Sequence, residues 1–477
     1  MSQDQEVSLK PFDRKILETL KEKAVHKSLA AQASFHGLPR FVTEYLLAKF
    51  VKPDTWKEDV AKVQARIREM LPNPENRELT KEKLLSTGEV TLIDQVECRV
   101  DLVQGKRWAK IPSLELGQVV VRQALLEENP GLLLGGLWGT FKVKYHPDID
   151  PASPNEIVSF TPFQVGPPDM AEYRSFRGQF RSDEWLDLML QSSGYEPAAF
   201  TSRRIKFLVL SRLIPLVERN VNLIELGPRQ TGKTYLLRNI SPRVFTISGG
   251  KATPANLFVN LSTGAIGILG NRKVVVFDEI AHTSFDSGDG TISILKDFME
   301  SGQFTRGNKQ FGSDCGIYMA GNIDVEEDKP HPRYRHLFEP LPAALIDSAF
   351  QDRIHGFVPG WEIPKITPTS IAKGMGFVTD YFGEVLVKLR EDSFASALRD
   401  LQLEKSLTRR DYVSVERLTS GLIKILHPNG AFTREELEEI VLFACEYRQR
   451  IHDQLVKMAP GEFRPKRISL VTPPPPS

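Results

Sequence analysis

Cysteine is nearly absent. The chain has three in 477 residues, Cys98, Cys315 and Cys445, far apart and in no C-x-x-C pair. That excludes a disulfide framework and a thiolate zinc site, and it fits a reducing, cytoplasmic setting. The nine histidines form no ligand pattern; the densest group, His331-Pro-Arg-Tyr-Arg-His336, has no metal-ligand spacing. Long apolar runs are missing, so no membrane-spanning helix is expected. The N-terminal MSQDQEVSLK lacks the apolar segment of a secretory leader. Charge of one sign is missing as well. The chain has 62 basic and 61 acidic residues, a net charge of +1. Any nucleic-acid surface must therefore be a local patch.

What is present is an ordinary globular composition, 41% hydrophobic and 26% charged. The length allows roughly two to four domains. Residues 1–80 read as helical, with apolar positions at helical spacing over 41–50 behind Pro39, and Pro72 and Pro74 breaking the chain. From Glu89 the period changes to two. Val90, Leu92, Val96, Cys98, Val100 and Leu102 alternate with Glu97, Arg99 and Asp101, a half-buried strand. Gly105-Lys106 is a turn, with further strand signal at 108–111, 119–121 and 137–145. Residues 81–150 thus read as a small β-rich, OB-like barrel of about five strands.

The stretch 151–199 reads as a Pro- and Phe-rich connector followed by a helix near 183–191. Over 200–365 strands and helices alternate, the pattern of a parallel sheet. Over 366–460 the chain is helical again, at 378–390, Arg409–Leu426 and 433–457, the last opened by the capping box Thr433-Arg-Glu-Glu436. The remainder, 461–477, ends in TPPPPS and reads as a disordered tail. The fold class is α/β: a P-loop core with a helical lid, preceded by a helical region and a small barrel.

The chemistry centres on Gly227, Pro228, Arg229, Gln230, Thr231, Gly232, Lys233 and Thr234, a complete G-x-x-x-x-G-K-T motif. An apolar strand precedes it and a helix follows, the context the motif needs. Its glycines let the backbone wrap phosphates, and N–H groups face the negative charge. Lys233 is expected to reach the β/γ-phosphates of ATP and Thr234 to ligate Mg²⁺. Some forty residues on, Lys273-Val-Val-Val-Phe-Asp-Glu279 drives four apolar residues into two carboxylates at a strand end. Asp278 is expected to hold Mg²⁺ through water, and Glu279 to polarise the attacking water. The third strand, Gly316–Asn322, ends on an amide at the sensor-1 position of AAA+ ATPases, where Asn322 would orient the water.

With these motifs the chain resembles the BrxL family, the Lon-like AAA+ proteins of BREX phage-defence systems, whose ATPase core is similar to MCM helicases. GPRQTGKT and VVVFDE carry the resemblance, with SGGKATPANLF from Ser248, KDFMESGQFTRG from Lys296 and DSAFQDRIHGFVPGWEIP from Asp347. It covers roughly residues 30–460. The resemblance implies an AAA+ ring, a hexamer or stacked rings, that engages double- or single-stranded DNA, alongside other BREX proteins as partners. It implies that Arg353 is the arginine finger and that Arg410, with Arg409 as the near alternative, is the sensor-2 arginine on the γ-phosphate. It also places a pore-facing hairpin before the sensor-1 strand, where Arg306 and Lys309 are the candidate DNA contacts. Longer members carry a Lon-like protease domain after the ATPase; here the chain stops soon after the lid, and no protease activity is expected of it. The alternative function is a protein-remodelling ATPase serving a separate protease. That function calls for an aromatic pore loop, and Leu257-Phe258-Val259 reads instead as core.

Overall fold

The computed structural model describes residues 9–30, 38–51, 55–133, 136–150, 152–163, 168–285, 290–307, 309–399 and 401–471. The chain divides into two compact units. One comprises 21–167 with 378–381, the other 1–20, 168–377 and 382–477.

In the first unit, helices α1 (Arg40–Phe50), α2 (Trp56–Met70) and α3 (Arg77–Thr87) precede five strands. These are β1 (Glu89–Asp101), β2 (Lys106–Ile111), β3 (Leu116–Val121), β4 (Leu137–Tyr145) and β5 (Asn155–Pro162). They close into a barrel in the order β1-β2-β3-β5-β4. All pairings are antiparallel except β3 with β5, where Val120 faces Glu156. Alternation along β1 sends Leu92, Val96 and Cys98 inward against Ala109, Val119, Phe141 and Ile157. The expected alternation fails at its far end. Val100 and Leu102 are exposed, because β1 and β2 run on as a hairpin past the barrel core.

The closing strand β5 falls in the stretch that sequence reading makes a connector. Pro154 and Pro162 bracket it and mask its period. Trp108 is core, 1% exposed. In the same unit Lys27 and Glu44 form a fully buried ion pair of 2.6 Å, and Thr379 donates to the same carboxylate. Burial pushes the Glu44 carboxyl up, but Lys27 and Arg40 outweigh it and hold it at about 2.

The second unit is built on a parallel sheet. Helices α4 (Ser182–Ser192) and α5 (Arg203–Ser211) lead into β6 (Asn222–Gly227), α6 (Tyr235–Ile240), β7 (Val244–Ala252) and β8 (Val274–Phe285). Then come α7 (Thr291–Ser301), the hairpin β9 (Gln303–Arg306) and β10 (Lys309–Gly312), β11 (Gly316–Asn322) and β12 (Gly356–Pro359). The sheet order is β12-β6-β11-β8-β7, parallel throughout. Strand β11 therefore lies between β6 and β8. In register, Asn322 stands beside Gly227 and Met319 beside Phe277. Leu223, Ile224, Leu226, Val274, Val275 and Val276 are fully buried. Each such side chain contributes about 1.5–3 kcal/mol, so the sheet is the rigid part on which the loops stand.

Two long helices follow, α8 (Arg409–Leu426) and α9 (Arg434–Met458), each opened by a capping box, Thr408 with Asp411 and Thr433 with Glu436. Residues 461–471, which sequence reading assigns to the tail, are tied to this unit. Ile468 is buried and its N–H donates to Gln449, and Val471 N–H donates to the Gln402 carbonyl. The terminal TPPPPS lies outside the described residues. Among the described residues no helix is long and apolar enough to cross a membrane.

Candidate nucleotide site

The motif loop leaves the sheet at Gly227, the last residue of β6. A side chain there would stand 2.7 Å from the Gly360 Cα, so two glycine backbones meet where the loop begins. Gln230 and Gly232 both adopt left-handed φ, +70° and +69°, which turns the loop back on itself. Helix α6 starts straight after Thr234. The Gln230 carbonyl is fixed by the Ile366 N–H at 2.7 Å. Lys233 folds across the loop. Its Nζ donates to the carbonyls of Gly227 and Pro228 at 3.1 and 2.7 Å, and to Asn322 Oδ1 at 3.0 Å. Burial holds its ammonium below the usual lysine range. Lys233 and Asn322, 89 positions apart, thus meet because β11 is threaded next to β6.

Asp278 of β8 stands in register beside Ser248 of β7, one residue past Phe277. Its Oδ1 accepts the Glu279 N–H at 3.0 Å, and its Oδ2 pairs with Arg238 at 3.2 Å. Glu279 is exposed and has φ +50°, a left-handed backbone that non-glycine residues seldom adopt. Such strain concentrates at functional positions. No cluster of three or more His, Cys, Asp or Glu side chains able to hold a metal occurs among the described residues. The two residues expected to serve Mg²⁺, Thr234 and Asp278, offer a hydroxyl and a carboxylate, oxygen donors of the kind Mg²⁺ takes beside water and phosphate oxygens.

Arg353 and Arg410 are not brought to this loop. The Arg353 carbonyl accepts from Asn222 Nδ2 at 3.2 Å, and Asn222 opens β6 whereas Gly227 ends it. A strand of that length spans about 17 Å, so Arg353 stands beyond the opposite edge of the sheet. Arg410 stands there with it. One carboxylate, Glu300 at the end of α7, takes both: Oε2 meets Arg353 and Oε1 meets Arg410, each at 2.7 Å. Arg410 also pairs with Asp352, which Arg448 joins. The hydrogen bond from Arg410 and the charges of both arginines hold the Glu300 carboxyl below its ordinary value.

The hairpin expected before β11 is present, with Arg306 facing Lys309 in register across Gly307. Arg306 Nη1 donates to the Val259 carbonyl at 2.6 Å, which ties the hairpin tip to the preceding loop. Phe258 is fully buried against Phe298 and Phe304, as core.

Motif reading misses Glu300, and it misses two buried charges beneath the loop, Arg212 and Glu225. The legible signal for the second pair is Glu225 itself, an acid in the middle of the apolar strand NLIELG.

The family described as "Lon-like protease BrxL-like, ATPase domain" matches residues 156–469. The chain belongs to that family. The N-terminal part matches a second description, "BREX system Lon protease-like protein BrxL N-terminal", over residues 18–145. The chain is 37% identical over 442 residues to the Lon-like protease BrxL of Bacillus cereus (strain H3081.97). It is 34% identical over 447 residues to the Lon-like protease BrxL of Escherichia coli O9:H4 (strain HS). These alignments take in 91% and 92% of the chain but 65% and 64% of the two relatives, so the chain spans just under two thirds of their length. The parallel sheet and its loop therefore fall within a BrxL-like ATPase domain.

Proposed function

We propose that the protein is an AAA+ ring ATPase of BREX phage defence that binds DNA and hydrolyses ATP at the interfaces between its copies. The loop 227–234 binds the phosphates, with Lys233 on the β/γ-phosphates and Thr234 and Asp278 on Mg²⁺. Bound there, Mg²⁺ neutralises charge on the phosphates. Glu279 takes the proton of the attacking water, and Asn322, already hydrogen-bonded to Lys233, orients that water. The observation that carries the reading is the distance between Arg353 and the chain's own loop. A cation meant to stabilise the transferring phosphoryl group, yet placed beyond the opposite sheet edge, serves a neighbour's nucleotide. Arg410 shares its carboxylate and serves the same neighbour.

Mixing Arg353→Ala with Lys233→Ala subunits tests this. Each variant alone is inactive, and the mixture regains activity, because some interfaces pair an intact loop with an intact arginine. Specific activity of the wild type rises with protein concentration. Mixed rings that form yet show no rescue would refute the arrangement. DNA is the partner favoured over a protein substrate, since Phe258 is buried and Arg306 and Lys309 are the residues paired across the hairpin turn.

A further inference from the structure

Beneath the phosphate loop lies a charged pair that the motif does not contain. Arg212, just past α5, and Glu225, in the middle of β6, are both 0% exposed. The guanidinium grips the carboxylate twice, Nε to Oε2 at 2.8 Å and Nη2 to Oε1 at 2.6 Å. Tyr318 of β11 donates its hydroxyl to the same carboxylate. The guanidinium's outer edge then reaches the loop. Nη2 donates to the Thr231 carbonyl at 3.1 Å and Nη1 to the Gly232 carbonyl at 3.3 Å. The Tyr195 hydroxyl also donates to Gly232 O, at 3.3 Å.

A buried ion pair is a weak source of stability, and apolar residues of similar size often replace one without loss. Apolar residues cannot hold two successive carbonyls. In a planar trans peptide the C=O and the following N–H point in opposite directions. Drawing the Thr231 and Gly232 carbonyls down onto Arg212 therefore turns the N–H groups of Gly232 and Lys233 up, away from the core. The left-handed turns at Gln230 and Gly232 make that arrangement possible. Burial works against the Arg212 charge, but Glu225 outweighs it and keeps the guanidinium protonated.

We infer that Arg212, clamped by Glu225 and Tyr318, is a positioning residue that presets the loop amides for phosphate. The inference rests on the proposed reading of 227–234 as the phosphate site. It makes nucleotide affinity depend on a residue that touches no nucleotide.

The test separates affinity from folding. A triple variant, Arg212→Met with Glu225→Leu and Tyr318→Phe, removes the ion pair together with the hydroxyl that donates to it, and leaves no orphaned charge. It is expected to keep its helix content and melting temperature. Its dissociation constant for a fluorescent ATP analogue should rise about ten-fold or more, the cost of losing a preorganised site, with a larger change in KM than in kcat. A folded triple variant with wild-type affinity overturns the inference. If the triple variant does not fold, Arg212→Lys decides. Lysine keeps the charge for Glu225 but lacks the fork that reaches both carbonyls. Weakened binding by folded Arg212→Lys supports the inference, and unchanged binding overturns it. Lys233→Ala, run beside them, distinguishes the two levels: if it binds the analogue normally, the reading of the loop fails rather than the role of Arg212.

Discussion

The two edges of the parallel sheet hold their cations differently. At the C-terminal edge Lys233 rests on two backbone carbonyls and one amide oxygen, neutral partners only. At the N-terminal edge Arg353 and Arg410 rest on Glu300 and Asp352, full counter-charges from the same chain. On the proposed reading, a phosphate arriving at the first edge displaces weak acceptors and meets a cation that donates to no carboxylate. A phosphate arriving at the second must compete with carboxylates, and at a half-exposed pair that exchange is close to neutral. On the proposed function, the first edge binds ligand within one chain, and the second engages only when a neighbour brings the phosphate into place.

The largest expected effect tests the first edge. Lys233→Ala abolishes ATP binding and turnover at every protein concentration. Glu279→Gln keeps binding and lowers kcat by roughly 10²–10⁴-fold, the usual size of a general-base contribution. Equilibrium binding set beside single-turnover hydrolysis reads both. Wild-type turnover by Glu279→Gln would remove that residue from the reaction.

Arg353→Ala is the matching test of the second edge. Turnover should fall by about 10³-fold in assembled protein, while nucleotide affinity measured on dilute, unassembled chain stays unchanged. An affinity loss in the dilute chain would erase the contrast between the edges.

A smaller effect sharpens the contrast. Glu300→Gln leaves two guanidinium groups side by side with their shared carboxylate gone, and the Arg353 ion pair is lost. Turnover of the assembled enzyme should drop about ten-fold through misplacement of the finger, with KM for ATP unaltered. Because the arginines hold the Glu300 carboxyl below its ordinary value, its charge persists as pH falls through the usual carboxylate range. Wild type and variant should therefore keep their activity ratio down to about pH 4.5. A ratio that collapses nearer neutrality would exclude Glu300 as the cause.

The smallest effect concerns DNA. Arg306→Ala with Lys309→Ala should weaken DNA binding modestly and flatten its log-linear salt dependence, with little change in sequence preference. Gel-shift titrations at several salt concentrations measure it. An unchanged slope would move the DNA contact off the hairpin.

Much of the first edge is legible in the sequence, because its parts are contiguous: the loop motif, the VVVFDE strand and the strand ending at Asn322 each carry their own local pattern. The helices Arg409–Leu426 and Arg434–Met458 are legible for the same reason, amphipathic period plus cap. The second edge is not. Glu300 meets Arg353 and Arg410 only through the order of the sheet, which brings the end of α7 beside the start of β12. No local pattern marks Glu300 among the other charged residues of KDFMES. Strand β5 is hidden for a different reason, since its flanking prolines mimic a linker. Barrel closure, set by pairing with β3 and β4, overrides them.

The glycine pair at the loop's root has a mechanical consequence. Strand β12 begins three residues after Arg353 and ends at Pro359, against Gly360, whose Cα leaves no room for even one extra carbon on Gly227. Its four residues run in register beside β6. The strand is therefore a short strut with a cation at one end and the phosphate loop's anchor at the other. A shift of Arg353 along that axis would bear on the backbone at Gly227. If copies assemble as proposed, a nucleotide bound against Arg353 would thus act on the phosphate loop of the copy that supplies the arginine.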